Sequence, residues 1–361
     1  MSKTSQSKKY ADPTTENSKI ESGKAENNRT EKNKTEKNKT GKKEYFGTVC
    51  EIQKNSYNIL VGNKTIHAKL KGNFFRENEE LPVVGDNVAF LLNEKGDSLI
   101  TSVCERKSVL KRPYAADHSM DNGKEQVMVA NVDYVFIVSS LNDNYNFNRI
   151  ARYVSMTLQG NAIPVVILTK ADLCSNPGRY ASEIERLSEK VSVHCVSALY
   201  GIGTEELNKY LQPGKTIAIL GSSGVGKSTL VNALVQEDVM KTSEIRESDA
   251  KGRHTTTHRQ MIVLLNGARI IDTPGMRELG MCDTDQGIDD IFSDIAELES
   301  CCKFSDCRHE TEPGCAIKAA MADGTLAQDR YELYRSLHEE SRHAAKMKDI
   351  SKWRKQLKKQ R

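Results

Sequence analysis

Between Tyr45 and Val103 the chain alternates apolar and polar residues in short runs. Phe46-Gly47-Thr48-Val49, Tyr57-Asn58-Ile59-Leu60-Val61, Thr65-Ile66-His67-Ala68-Lys69-Leu70, Asp86-Asn87-Val88-Ala89-Phe90-Leu91 and Ser98-Leu99-Ile100-Thr101-Ser102-Val103 read as strands. Turn pairs separate them: Gly62-Asn63, Gly72-Asn73, Gly85-Asp86 and Gly96-Asp97. Short strands this closely spaced fit a small closed barrel of the OB type. From Val127 to about Asp283 the pattern changes. Tyr134–Val138, Val165–Leu168, Val191–Val196 and Thr216–Leu220 are buried-strand runs, and Asn148 to Leu158 has helical spacing. Strands alternating with helices predict a parallel α/β sheet covered on both faces. After Gly287 the chain reads as helical and cysteine-rich, and from Ala327 onward as one long charged helix.

The predicted organisation is therefore a polar tail over 1–43, a barrel over 44–112, a nucleotide domain over 113–285 and a helical metal domain over 286–361. The tail is Lys, Asn, Thr, Glu and Ser with almost nothing apolar, and such a segment cannot offset its ordering entropy by burial. It is expected to be disordered, either a solvated tail or an electrostatic arm for RNA. The net charge of +4 hides two basic ends. No apolar run approaches the ~20 residues needed to span a bilayer, and the N-terminus lacks the core of a signal peptide. The expectation is a cytoplasmic protein without a membrane partner.

Gly221-Ser222-Ser223-Gly224-Val225-Gly226-Lys227-Ser228 matches the phosphate-binding loop GxxxxGK[ST]. It follows a predicted strand and opens a predicted helix through Thr229. In that setting successive backbone N–H groups and the helix N-terminus face a phosphate. Lys227 reaches the β- and γ-oxygens, and the Ser228 hydroxyl ligates Mg²⁺. Asp272-Thr273-Pro274-Gly275 follows a strand-like run. Asp272 there can hold Mg²⁺ through water, and the Gly275 N–H can meet the γ-phosphate. Thr169-Lys170-Ala171-Asp172 matches [NT]KxD. A buried Asp172 carboxylate would accept from guanine N1–H and the 2-amino group; adenine has neither donor there. Ser197-Ala198-Leu199, after the next strand, matches the loop that backs the base. A polar stretch, Lys251 to His258, lies where a first switch belongs. Which of Thr255, Thr256 and Thr257 approaches Mg²⁺ is left open by the sequence.

In most GTPases the base-reading motif follows the phosphate loop; here Asp172 precedes Gly221. Four motifs in this order imply a circular permutation, which α/β domains tolerate because their termini lie at the surface. On these residues, and on Gly252-Arg253-His254-Thr255-Thr256-Thr257, the chain closely resembles the circularly permuted, small ribosomal subunit-dependent GTPases of the RsgA (YjeQ) family. The resemblance runs from Tyr45 to the helices after Cys315; the long tail lies outside the family pattern. It implies an OB barrel, a permuted GTPase centre and a C-terminal zinc domain, and a role in late small-subunit maturation with subunit-stimulated hydrolysis by a single chain.

Nine cysteines are present, and Cys301, Cys302, Cys307 and Cys315 crowd together, which suggests a metal rather than disulfides. Cys302, Cys307, His309 and Cys315 form a closed Cys₃His set suited to one structural zinc, and the spacing matches the family's zinc signature. Cys301 is spare. Met276, where many GTPases carry a water-orienting glutamine, has no group to do so. His254 is the catalytic candidate, by its place in the switch and by the resemblance; a solvent-exposed loop histidine is the other reading. The basic C-terminal helix, including Arg342, Lys346, Lys352, Arg354, Lys355, Lys358 and Lys359, is either a solvated face or a contact for rRNA phosphates. The rival functions are an ATP-driven enzyme, a scaffold for which GTP is only structural, and a translation or transport GTPase.

Overall fold

A computed structural model describes residues 35–37, 43–54, 56–74, 80–113, 125–235, 260–272 and 285–359. Its first body is a barrel. Strands β2 (Lys43–Gln53), β3 (Ser56–Val61), β4 (Lys64–Leu70), β5 (Asn87–Leu91) and β6 (Ser98–Val103) pair in the order β2-β3-β4-β6-β5. β5 then returns to β2, which closes the ring. β4 and β6 run parallel, and the other pairings are antiparallel. Closure follows from the length of β2. It serves two partners, and a bulge between Val49 and Glu51 bends it. Val49, Ile59, Ala68, Phe74, Val88, Phe90 and Ile100 fill the interior, each fully buried.

The tail departs from expectation at three residues. Thr35–Lys37 form a strand, β1, antiparallel to the start of β2. An edge with unpaired backbone groups accepts such an addition whatever the side chains are. The remainder of the tail through Lys42 lies outside the described residues.

A hairpin missed by the sequence reading, β7 (Val109–Pro113) with β8 (Glu125–Ala130), connects barrel to sheet. Leu110 of this hairpin is buried in the core that the main sheet's first face contributes to. The main sheet has the order β11-β10-β9-β12-β14-β13. β9 (Tyr134–Ser140), β10 (Ile163–Thr169), β11 (Ser192–Cys195), β12 (Thr216–Leu220) and β14 (Arg269–Asp272) are parallel. β13 (Gln260–Val263) was not foreseen; it runs antiparallel to β14 and touches the barrel at one pair, Gln260 with Glu51.

Alternation along β9 sends Val135 and Ile137 to one face of the sheet and Phe136 and Val138 to the other. Helices α1 (Phe147–Gln159) and α2 (Pro177–Glu185) cover the first face. Helix α3 (Lys227–Val235) and a 3₁₀ turn over Thr204–Lys209 cover the second. The C-terminal helices are α4 (Asp285–Ile291), α5 (Ser293–Ser300), α6 (Ala316–Ala322) and α7 (Gln328–Lys359). They join the first face through Ile288, Phe292, Ile295, Ile317 and Leu337.

The joint between barrel and sheet is built around Gly85 and Asp86. A Cβ on Gly85 would lie 2.0 Å from the Ala130 carbonyl oxygen, so only glycine allows this approach. The Asn131 amide donates to the Gly85 carbonyl at 3.0 Å. Asp86 is fully buried and accepts from the Val83 N–H at 2.7 Å and from Arg106 Nε and Nη2 at 2.8 and 2.9 Å. Arg106 also pairs with Glu80. Removing the guanidinium would strand a buried carboxylate, which costs about 3–5 kcal/mol where a pair is fully desolvated. Arg106→Ala is therefore expected to lower unfolding free energy by about 3 kcal/mol in urea titration. Adding Asp86→Asn should restore part of the loss, because the orphaned charge is what the single variant suffers from.

Candidate nucleotide and metal sites

The C-terminal ends of the parallel strands meet on one edge of the sheet, where α/β folds bind their ligands. Gly221 follows β12 directly. A Cβ there would lie 2.4 Å from the Val138 carbonyl oxygen, so the loop can cross the end of β9 only as glycine. The loop then runs through Ser222, Ser223, Gly224, buried Val225 and Gly226 into Lys227 and Ser228, the start of α3, with Thr229 in its first turn. Lys227 Nζ donates to the carbonyl oxygens of Gly221 and Ser222 at 2.8 and 2.5 Å. That keeps its ammonium on the loop, at the side where the terminal phosphates of a nucleotide belong. Asp272 ends β14 beside Ile219 of β12 and is thus adjacent to the loop.

The base-reading motif comes to the same place. Thr169 ends β10 and is buried, and its hydroxyl donates to the Val225 carbonyl at 2.5 Å. Lys170 takes a left-handed backbone (φ 57°), a conformation that costs a non-glycine residue about 1–3 kcal/mol and that clusters at functional sites. Ala171–Leu173 then form a 3₁₀ turn, and the Ala171 N–H donates to the Val196 carbonyl at 3.1 Å. Ser197 is buried, and its backbone exchanges hydrogen bonds with Ile202, closing the loop that holds Ala198. Asp172 is exposed, not buried as the selectivity argument assumed. Among the described residues no partner takes its carboxylate. Discrimination against adenine would therefore come from burial by the base itself, not from a pre-desolvated aspartate. Gly275 and the switch residues Lys251 to His258, with His254, lie outside the described residues.

The second site is the cysteine cluster. The metal-ligating atoms of Cys302, Cys307, His309 and Cys315 all lie within 4.8 Å of one another. Cys302 Sγ is 4.0 Å from Cys315 Sγ and 3.6 Å from His309 Nδ1, and His309 Nδ1 is 3.4 Å from Cys315 Sγ. A tetrahedral zinc with ordinary bond lengths requires about 3.8 Å between sulfurs and about 3.6 Å between nitrogen and sulfur, so the residues fit the ion. Burial raises the Cys302 thiol, but N–H groups of Ala316 and Ile317 at the start of α6 outweigh it and bring it below its ordinary value. Cys301, the spare, is exposed.

Two supports of this cluster had no signal in the sequence. Glu299 on α5 lies 3.1 Å from His309 Nε2, which leaves Nδ1 to the metal. Glu312 accepts from the N–H groups of Arg308, Glu310 and Thr311 at 3.1, 2.9 and 3.0 Å. Its own N–H first, then these bonds, hold its carboxyl down at about 2. Glu312 thereby clamps the loop between His309 and Cys315.

Comparison with known proteins agrees with this architecture. Residues 103–282 match the model of the family described as RsgA GTPase. A protein named small ribosomal subunit biogenesis GTPase RsgA 2, from Listeria monocytogenes serotype 4b (strain F2365), is 43% identical over 303 residues. That match covers 83% of this chain and 85% of the relative. The protein named small ribosomal subunit biogenesis GTPase RsgA from Methanosarcina acetivorans is 41% identical over 304 residues, covering 84% and 79%. Among solved structures, YjeQ from Thermotoga maritima superposes with a TM-score of 0.61 at 29% identity, over 82% of this chain and 98% of that one. YloQ, described as a circularly permuted GTPase, gives 0.57 at 23% identity over 82% and 95%, a likeness of fold.

Elemental analysis of the purified chain is expected to find one zinc per molecule. Cys302→Ser should lower that content and loosen the segment from α5 to α6, read as faster backbone amide exchange there, while the barrel exchanges unchanged.

Proposed function

We propose the following function for this chain, which belongs to the RsgA GTPase family: it assists late maturation of the small ribosomal subunit and hydrolyses GTP faster when bound to that subunit. That it is a GTP-hydrolysing enzyme with a permuted GTPase fold follows from its family and its structural likeness. The subunit comes from the names its relatives carry. The observation that carries the reading is the meeting of Thr169-Lys170-Ala171-Asp172 with the phosphate loop at one sheet edge, joined through Thr169 and Val225.

In this reading Asp172 accepts from the guanine N1–H and 2-amino group. The Lys170 stem lies along the base, and Ser197 and Ala198 back it. The loop from Gly221 to Ser228 holds the phosphates by its backbone N–H groups, with Lys227 on the β- and γ-oxygens. Magnesium, when bound, neutralises charge on those oxygens, and Ser228 and Asp272 are the residues to hold it. Met276 cannot orient the attacking water, so unassisted turnover is slow, and His254 supplies that contact when the subunit is bound. The Cys₃His site holds zinc in a structural role, its four positions taken by protein. The barrel and the basic C-terminal helix carry the rRNA contacts, and the chain works in the cytoplasm as a monomer. Among the described residues no helix is long and apolar enough to cross a membrane.

The deciding experiment is GTP turnover with added small or large subunits. Small subunits are expected to raise the rate at least tenfold and large subunits to leave it unchanged; equal rates throughout would leave a GTP-binding scaffold instead. His254→Ala should remove most of the stimulation with GTP affinity intact. A separate test addresses the base. Asp172→Asn faces the guanine donors with a further donor, whereas xanthine offers an acceptor at that edge. The variant is expected to lose GTP affinity by ~100-fold or more and to gain affinity for xanthosine triphosphate. If it binds GTP as the parent does, Asp172 does not read the base.

A further inference from the structure

Arg149 lies in the first turn of α1, and its backbone N–H is capped by the Asn146 side chain at 2.8 Å. No acidic residue occupies that turn. A cation at the positive end of a helix dipole is unfavourably placed unless something negative answers it. Among the described residues no carboxylate pairs with Arg149; the side-chain hydrogen bond it makes is from Nη1 to Ser222 Oγ, at 3.0 Å. Ser222 is the second residue of the phosphate loop. Its carbonyl oxygen is also where the Lys227 ammonium rests, at 2.5 Å. Two cations from different helices thus converge on one residue of the loop, one on its hydroxyl and one on its carbonyl oxygen.

We infer that Arg149 is a phosphate-recognition residue delivered in cis by α1, one that favours guanosine triphosphate over diphosphate by pairing with the terminal phosphate. The inference rests on the reading of Gly221–Ser228 as the GTP site and adds a residue to it. A guanidinium suits the task, because its forked donors can keep Ser222 while reaching a phosphate oxygen. One turn along the same helix, Arg152 makes a bidentate pair with Glu340 of α7, at 2.6 and 3.0 Å. The C-terminal helix therefore holds the helix that aims Arg149.

The test is the ratio of GTP to GDP affinity, measured on the full chain by titration with fluorescent analogues of each nucleotide. Arg149→Ala is expected to weaken GTP about tenfold, equivalent to about 1.4 kcal/mol, with GDP changed less than twofold and the thermal midpoint unmoved. Arg149→Lys should recover part of the ratio. Ser222→Ala removes the loop contact but leaves the cation, and should keep the ratio. Equal losses for GTP and GDP in Arg149→Ala, or the same ratio in Ser222→Ala as in Arg149→Ala, would reduce Arg149 to a brace for the loop and overturn the inference. So would an unchanged ratio in Arg149→Ala. Failure of the parent chain to bind either nucleotide would instead overturn the underlying reading of the site.

Discussion

The hydrogen bond from the Thr169 hydroxyl to the Val225 carbonyl, in a buried pocket between two strand ends, is the contact on which the nucleotide site depends. The same hydroxyl lies 3.3 Å from the Ser139 carbonyl, but the shorter bond to Val225 ties the two loops together, and parting them would give up that buried bond. Its effect is to hold the segment Thr169–Asp172 beside the loop Gly221–Ser228. These segments lie on different strands, and in this chain the usual order of the two is reversed. Permutation leaves the contact untouched because it changes which strand ends are joined by chain, not which strands are neighbours. β9 lies between β10 and β12 whatever the order of synthesis.

Much of this was legible in the sequence, and for a physical reason. The barrel strands and the buried strands of the main sheet announce themselves by period and by β-branched content. The phosphate loop is legible because backbone approach to a phosphate demands glycine at defined positions. What stayed hidden was carried by residues with no pattern of their own. β7 carries Lys111 and Arg112, which interrupt its apolar run, and a polar stretch of sequence separates it from β8. β13 has four residues, too few for a period. Arg149 and Arg152 look like ordinary solvent-facing positions of a helix; only the fold shows that one meets Ser222 and the other Glu340. Glu299 and Glu312 are likewise two glutamates in a charged region until the loop brings them to His309 and its neighbours.

The exposed Asp172 is a useful correction to reasoning by motif. A tetrapeptide identifies donors and acceptors but not their solvation, and solvation sets the penalty for the wrong ligand. Here solvent, not protein, covers the Asp172 carboxylate. The metal loop is the opposite case. His309 sits in a left-handed conformation, and Glu312 ties down three N–H groups beside it. Its geometry is strongly constrained by the polypeptide as well as by the ligand set.

Among the described residues, strand pairing between barrel and main sheet is one residue pair, Gln260 with Glu51, beside which Cys50 and Ile52 pack against the main core. The bond network around Gly85, Asp86 and Asn131 is far denser. Mechanically these are a latch and a hinge. Parting the one-pair contact forfeits roughly the net worth of one or two hydrogen bonds, on the order of 1 kcal/mol each, and some side-chain packing, whereas at the other joint the bonds of Ala130 and Asn131 to Val84 and Gly85 would part together. β13 lies directly after the segment in which the first switch is read, so its pair with β2 is where that stretch of the sequence meets the barrel.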